Sequence, residues 1–150
     1  FEFLFFLVGS RVGGDVHCCL LRVVAGVQAL LLTGDLGVRG EAALLAEYGE
    51  DVFSQVLILG HHGSRTSSSP TFLRRVRPQW AVASSGFANA YRHPHPQVLD
   101  LLALRQVALY RSDKQGGASV LLAEGQPLQW QPLRPRVPFW QRKPLRGRDD

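Results

Sequence analysis

Residues 57–69 read LILGHHGSRTSSS, and they join an apolar run to two adjacent histidines, a glycine and a cluster of hydroxyl groups. The apolar run Val52–Gly60 has the length of a strand and predicts one that is covered on both faces, as in parallel sheets. A protein core does not need two imidazoles at the end of a strand, because their four ring nitrogens all require partners. In α/β folds, functional groups lie on the loops that follow such strands. The stretch therefore predicts a functional site at the end of a buried strand.

Segments of strand and helix character alternate on both sides of this stretch. The predicted strands are Phe3–Val8, Cys18–Val24, Gln28–Thr33, Val52–Gly60, Trp80–Ser84, Val107–Arg111, Ala118–Ala123 and Leu128–Gln131. The predicted helices are Glu41–Tyr48, Pro70–Val76 and Pro96–Leu104. A hairpin, then alternating helices and strands, then a pair of strands that closes the sheet predict an α/β fold, one half of a layered sandwich.

Composition and charge suggest one domain and a tail. The 150 residues are enough for a single core, and 45% hydrophobic with 19% charged residues is ordinary for a soluble globular protein. Residues 1–130 contain 11 Lys and Arg against 10 Asp and Glu, whereas residues 131–150 contain 6 against 2. We expect a domain over residues 1–130 and a basic Pro/Arg-rich tail over residues 131–150. The net charge of +5 is therefore weak evidence that the domain itself binds nucleic acid.

The beginning of the chain, FEFLFFLVGS, is too short an apolar run for a membrane span, which needs about 20 residues. It also lacks the basic start and the cleavage site of a signal peptide. The chain contains no methionine, so we expect it to be a piece of a longer protein. Cys18 and Cys19 are neighbours on a predicted strand, where side chains point to opposite faces. They are expected to be small core residues and not a disulfide pair.

Residues with useful chemistry follow three of the predicted strands. Asp35 comes after the predicted strand Gln28–Thr33, and His61 and His62 come after Val52–Gly60. His93, within the segment YRHPHP, comes after Trp80–Ser84. Taken singly, a Gly-Asp pair is often a solvated turn and a histidine is often structural. If the three strands are neighbours, however, these side chains share one edge of the sheet. A carboxylate with neutral imidazoles is a ligand set for Zn²⁺ or Mn²⁺.

The order of these motifs resembles the C-terminal half of the metallo-β-lactamase-like domain of the ComEC family of DNA internalisation competence proteins. The similarity runs from about residue 15 to residue 120 and rests on the segments TGD, HHGSRTSSS, RPQWAVASSG, YRHP and YRSDKQGGA. It implies a metallo-β-lactamase-like αββα sandwich, to which this chain would contribute one mixed sheet with helices on its outer face.

For the site, the resemblance implies that Asp35 bridges two metal ions and that His61 is a terminal metal ligand. His62 and His93 would be the catalytic residues. Residues implied in substrate binding are Ser64, Thr66, Ser67, Asn89 and Tyr91. Because successive residues of an extended chain point in opposite directions, His61 is expected to face the metals. His62 is expected either to lie behind the metal ligands or to contact the scissile phosphate.

The superfamily's main metal motif is expected upstream of Phe1. The intact domain, meaning this chain together with that motif, would hold two divalent ions, Zn or Mn, and this chain alone is expected to be inactive. No small organic cofactor is expected. The chain is expected to form a soluble domain of a bacterial inner-membrane protein, on the periplasmic side.

The function implied by the resemblance is metal-dependent phosphodiester hydrolysis during DNA uptake across the inner membrane. The implied partners are single-stranded or incoming DNA and the rest of a multi-spanning membrane protein. Two alternatives stay open, because a fold does not fix a function. One is a non-catalytic, metal-poor module that guides or docks DNA, and the other is a hydrolase of a small phosphoester.

Overall fold

The computed structural model describes the backbone of residues 2–8 and 18–133 and the side chains of residues 19–133. The strands are β1 (Glu2–Val8), β2 (Cys18–Ala25), β3 (Gln28–Leu32), β4 (Val56–Ile58), β5 (Trp80–Ala83), β6 (Ala108–Arg111), β7 (Ala118–Leu121) and β8 (Gln129–Pro132). The helices are α1 (Val38–Tyr48), α2 (Pro70–Val76), α3 (Pro96–Leu104) and α4 (Ser112–Gln115), with a short 3-10 helix at Gly49–Val52 and a tight turn, not helical at its centre, at Gly60–Gly63. The predicted α/β class is confirmed.

Six strands form one mixed sheet in the order β1-β2-β3-β4-β5-β6. The pairs β1–β2 and β2–β3 are antiparallel, and the pairs from β3 to β6 are parallel. Parallel neighbours need a crossover connection, and α1, α2 and α3 lie in these connections. The carboxyl ends of β3, β4, β5 and β6 therefore meet at one edge of the sheet, here called the carboxyl edge.

The core lies between the central strands and the three longer helices. Leu31, Leu57 and Ala81, on three neighbouring strands, are fully buried in one cluster with Leu44 of α1 and Phe72 of α2. Burying a side chain of this size stabilises the fold by about 1.5–3 kcal/mol for Leu or Phe. This packing fixes the spacing of the strands and hence the positions of the loops that follow them.

Strand β4 is much shorter than the predicted strand Val52–Gly60. The side chain of Gln55 marks its early boundary, because its amide donates to the Val27 carbonyl at 2.7 Å and accepts from the Ala29 N–H at 2.6 Å. Gln55 thus satisfies the backbone at the tip of the β2–β3 hairpin. The residues before it form a 3-10 helix that ends at Val52.

Strands β7 and β8 do not close the main sheet, contrary to the prediction. They pair with each other as a separate antiparallel sheet. Helix α4 follows β6 directly, and Gly116, with φ of 81°, turns the chain after it. Trp130 of β8 then packs against the rings of Trp80 and Tyr110, with centroids 4.9 and 5.7 Å away.

Three further observations concern the predicted tail, Cys19 and the question of a membrane span. Gln131 and Pro132 belong to β8, and residues 134–150 of the predicted tail lie outside the described residues. Cys19 is exposed, so the prediction that it is a core residue is wrong. In the part of the chain that the structure describes, no helix has the length and apolarity needed to cross a membrane.

A buried carboxylate ties α1 to the loop after the two adjacent histidines. Glu41 is 1% exposed, and its carboxylate accepts hydrogen bonds from the backbone N–H groups of Ser68 and Ser69, the latter at 2.9 Å. Burial raises the pKa of Glu41, and the hydrogen bonds from Ser69 and Ser68 offset this only in part. The same carboxylate therefore positions the loop and carries a cost when it is charged.

We expect the stability that Glu41 contributes to fall as the pH rises. Its pKa is raised in the folded state, so its contribution is fully present below the unfolded pKa and is lost as the pH rises through the folded pKa. Urea unfolding of the wild type and Glu41→Gln at about pH 4 and about pH 7 measures this. The advantage of the wild type over the variant should be larger at the lower pH. An advantage that is constant or grows toward pH 7 contradicts the prediction.

Candidate functional site

The loops after β3, β4 and β5 lie side by side at the carboxyl edge and contact each other through their backbones. The N–H of His61 donates to the carbonyl oxygen of Gly34 at 2.9 Å, which joins the first loop to the second. The N–H of His95 donates to the carbonyl oxygen of Gly63 at 2.8 Å, which joins the second loop to the third. The three strands are neighbours in one sheet, which is the condition under which the residues that follow them share one edge.

His61 and His62 do not continue the strand. Both adopt a left-handed backbone conformation, with φ of 47° and 59°, so the expectation that they alternate like residues of an extended chain is wrong. This conformation costs of order 1–3 kcal/mol at a non-glycine residue and persists only where the surroundings impose it. Here the Ser64 N–H bonds the His61 carbonyl at 3.0 Å, and the Ser67 hydroxyl bonds the Gly60 carbonyl at 2.7 Å.

Three imidazole rings form a cluster at this edge. The ring centroids of His61 and His93 are 5.9 Å apart, those of His61 and His62 are 6.3 Å apart, and those of His62 and His93 are 6.5 Å apart. The Nδ1 atom of His62 lies 2.6 Å from the carbonyl oxygen of Ser84. Because a carbonyl only accepts, Nδ1 carries the proton, and Nε2 of the neutral ring keeps a free lone pair.

His93 is half-buried, whereas the other two histidines of the cluster are exposed. Burial and then the nearby rings of His61 and His62 lower the pKa of His93. Its Nδ1 atom is buried and has no hydrogen-bond partner among the described residues. Buried polar atoms normally have partners, so an unpaired ring nitrogen is consistent with a group that takes a ligand or a proton.

The side chain of Asn89 holds the backbone of His93. Its Oδ1 accepts from the His93 N–H at 2.7 Å, and its Nδ2 donates to the His93 carbonyl at 2.9 Å. Asn89, which the resemblance implied in substrate binding, therefore has an evident use in positioning the catalytic candidate beside it.

The hydroxyls after the two adjacent histidines differ in what they are free to do. Ser67 is 3% exposed, and its hydroxyl is used inside the loop on the carbonyls of Gly60 and Ser64. Thr66 is exposed, and its hydroxyl lies 3.0 Å from that of Ser64. Ser64 is also buried, at 8% exposed, so of these three hydroxyls that of Thr66 is the one exposed to an incoming group, while Ser67 shapes the loop.

Tyr91 forms the outer end of the ring cluster. Its side chain is 81% exposed, and its ring lies at 14° to that of His93 with centroids 5.8 Å apart. Beside it lies a cavity of about 530 Å³ that Arg92, Arg111 and Asp113 also line. A flat exposed ring beside cationic groups is suited to stack on a nucleobase while the cations contact phosphate.

Sequence reasoning gave no role to Arg111, Asp113 or Ser84. The guanidinium of Arg111 donates to both carboxylate oxygens of Asp113, at 3.0 and 2.7 Å, and these bonds lower the pKa of Asp113. The position of this pair at the end of β6, next to β5, is the signal that identifies it. Ser84 contributes only a backbone carbonyl, for which a sequence carries no signal.

The residues at the carboxyl edge match a metal site in chemistry but do not complete one. No three side chains of His, Cys, Asp or Glu within residues 19–133 lie close enough together to hold one ion. The donor types fit, since the tautomer of His62 leaves Nε2 free and Asp35 is exposed at the same edge. A backbone carbonyl that fixes a ring in this way is typical of histidines that bind metals. The described residues therefore offer donor atoms of suitable type, but they do not converge on one ion.

Gly63 interlocks two of the loops, and replacing it with alanine should destabilise the site. Its φ is +83°, and an added Cβ would lie 2.7 Å from the Cβ of Pro94. We expect Gly63→Ala to lower the free energy of unfolding by about 1–3 kcal/mol, from backbone strain and this contact. Gly125→Ala is the control, because Gly125 has a φ of +71° with nothing within 4 Å of the added Cβ. Equal urea-unfolding losses in both variants would show that the contact with Pro94 is unimportant.

The fold and the edge residues define an α/β domain that gathers histidines on the loops after its parallel strands. No protein-family model matches the chain. The chain is 46% identical over 145 residues to competence protein ComA of Neisseria gonorrhoeae, an alignment that covers 97% of this chain and 21% of ComA. It is 35% identical over 97 residues to ComE operon protein 3 of Bacillus subtilis, covering 65% of this chain and 12% of that protein.

A third relative is Recombination protein 2 of Haemophilus influenzae, which is 40% identical over 86 residues, or 57% of this chain and 10% of that protein. Together these similarities support a relationship between this chain and the competence ComEC family. The chain spans about a fifth or less of the length of the curated relatives it matches.

Proposed function

We propose that this chain is the C-terminal half of a metallo-β-lactamase-like αββα domain that hydrolyses phosphodiester bonds of DNA during competence-related DNA uptake. The observation that carries the proposal is the cluster of His61, His62 and His93 at the carboxyl edge. The mixed sheet with helices packed against it is compatible with one half of such a sandwich, which consists of a sheet and a layer of helices. The similarity to a competence protein supports the biological setting.

Asp35 and His61 are the proposed metal ligands within this chain. When bound in the intact domain, two divalent ions, Zn or Mn, supply a water molecule of lowered pKa and neutralise charge on the phosphate. Asp35 is exposed after Gly34, and the Gly34 carbonyl is bonded to the backbone of His61. This backbone contact keeps the carboxylate and the imidazole on adjoining loops.

His62 and His93 are the proposed catalytic residues, with different tasks. The Nδ1–H of His62 is committed to the Ser84 carbonyl, so Nε2 is the atom that can carry a proton to the leaving 3′-oxygen. The lowered pKa of His93 means that less of its ring is protonated near neutral pH, so less of it is available to donate a proton. We assign His93 to contact the phosphate as a neutral ring.

Single-stranded or incoming DNA is the proposed substrate. Tyr91 offers an exposed ring for a base, and the hydroxyls of Ser64 and Thr66 lie on the loop that follows the two adjacent histidines. The proposed setting is the periplasmic side of a bacterial inner-membrane protein. The remainder of that protein would be the partner of this chain.

A second candidate function is a non-catalytic module that guides DNA. One observation favours it, namely that no three potential ligands among the described side chains converge on one ion. In this case the basic residues 131–150, with 6 Lys and Arg against 2 Asp and Glu, would provide the affinity. Neutralising about four phosphates gives a log–log salt slope on the order of −3 to −4, which should vanish when residues 134–150 are removed.

Metal content and nuclease activity of the intact domain test the two functions against each other. The catalytic proposal expects bound Zn or Mn and cleavage of labelled DNA that a chelator stops and added metal restores. Purified intact domain that binds DNA but neither binds these metals nor cleaves DNA would overturn it in favour of the guiding module.

A further inference from the structure

Three arginines line a second cavity at the end of the sheet opposite to the carboxyl edge. Arg74 lies in α2, Arg77 caps the end of α2, and Arg105 caps the end of α3. Both helices run back toward the amino ends of β5 and β6, where the next strands begin. The cavity has a volume of about 300 Å³, and its other lining residues are Leu73, Pro78 and Val107.

The cavity is positively charged, because three arginines and no acidic residue line it. The nearby carboxylate of Glu50 bonds Arg77 at 3.0 Å and also bonds Arg75, which lies outside the cavity. Neither Arg74 nor Arg105 has an acidic partner among the described residues. The site therefore has an excess of cationic groups that an anion would offset.

The guanidinium groups of Arg77 and Arg105 are held in place by the fold. Arg77 has a left-handed conformation with φ of 51°, where glycine is the usual residue at the end of a helix, and it stacks over Phe53 at 5.0 Å. Arg105 donates from Nη2 to the Pro70 carbonyl at 3.2 Å. Its Nε is buried without a hydrogen-bond partner among residues 19–133. Such preorganised guanidinium groups are suited to phosphate.

The lining distinguishes among phosphate-bearing ligands. It contains no aromatic ring on which a base could stack, so the cavity is suited to a phosphate group and not to a nucleotide. Leu104, the last residue of α3 and the neighbour of Arg105, is 80% exposed. A cationic pocket beside an exposed aliphatic side chain matches the headgroup and the interface of a bilayer.

We propose that the cavity lined by Arg74, Arg77 and Arg105 binds the phosphate of an anionic phospholipid headgroup, with Leu104 at the membrane interface. This contact would orient the domain so that the carboxyl edge, with its histidines, faces away from the bilayer. The inference does not depend on the hydrolytic function proposed above.

Flotation of the full chain with phosphatidylcholine vesicles, with and without phosphatidylglycerol, tests the proposal. We expect binding only to the anionic vesicles, and we expect Arg74→Gln/Arg105→Gln to weaken it about tenfold or more. Arg39→Gln/Lys114→Gln removes the same charge from exposed positions elsewhere and should change it far less. All variants keep the basic residues 134–150, so any contribution of that segment is common to them.

Because Arg105 also bonds Pro70, the single variant Arg74→Gln and thermal unfolding of each variant guard against a folding defect. Leu104→Ala should weaken binding with no change in charge.

Equal vesicle binding by the cavity variant and the control variant would overturn the proposal. A cavity variant that loses affinity for single-stranded DNA and not for vesicles would identify a nucleic-acid contact instead. Stabilisation by inorganic phosphate through these arginines, without vesicle binding, would also refute the lipid assignment.

Discussion

Asp35→Ala should reduce metal-dependent DNA cleavage by the intact domain to below about one hundredth of the wild-type rate. Losing a residue that only supports a metal ligand typically costs 10–100-fold, so losing a bridging ligand should cost at least as much. The fold should survive, because Asp35 is exposed and follows the turn at Gly34, where φ is +52°. Cleavage rates at saturating Zn or Mn, with far-UV circular dichroism of the same samples, provide the measurement.

Asp100→Ala is the matched control for this experiment. Asp100 is also an exposed aspartate, but it lies on α3 and not on a loop at the carboxyl edge. The control should keep both metal and activity. Full metal-supported cleavage by the Asp35 variant would remove this residue from the metal site.

Helices α2 and α3 were predictable to the residue because their boundaries depend on local chemistry. The hydroxyl of Ser69 accepts from the Phe72 N–H at 3.2 Å, and Pro70 occupies the first helical position. Pro96 occupies the same position in α3. A cap and a proline act within one turn of the chain, so the local sequence is enough to predict where such a helix begins.

The wrong predictions about β4 and β8 have a common cause, namely contacts between segments that are distant in the sequence. β4 begins later than its predicted start because the side chain of Gln55 is used by the hairpin that contains Val27. β8 leaves the main sheet, and its Trp130 packs across Trp80 instead. Neither contact has a local signal, because each depends on which residues the sheet brings together.

At the candidate site, residue types were predictable and conformations were not. Asp35 and the three clustered histidines stand out because their side chains carry unusual chemistry after apolar runs. The left-handed conformation of His61 and His62 depends on backbone bonds to neighbouring loops, including the one from His61 to Gly34. Extended geometry was the natural expectation for residues that follow a strand, and it was wrong.

His61→Ala and His62→Ala should differ in kind in the intact domain. We expect His61→Ala to lower the bound metal per protein, because His61 is the proposed ligand and its backbone is tied to the loop of the other ligand, Asp35. His62→Ala should keep the metal and lose about a hundredfold or more in turnover, the lower end of what general acid–base catalysis contributes. Metal analysis and single-turnover cleavage on the same preparations measure both quantities. His95→Ala, outside the three-ring cluster, should keep its metal and controls for removal of an imidazole.

The left-handed backbone of His61 and His62 removes one reason for assigning different roles to the two residues. With both residues left-handed, strand alternation no longer separates their roles, and the bond from His62 to the Ser84 carbonyl becomes the main distinction. That bond fixes Nε2 of His62 as the reactive atom, which suits a proton donor and would equally suit a metal ligand. Metal stoichiometry separates the two uses, because a ligand removes metal when it is truncated and an acid does not. Loss of metal in the His62 variant alone would exchange the two assignments, and unchanged metal and turnover in both variants would make the cluster structural.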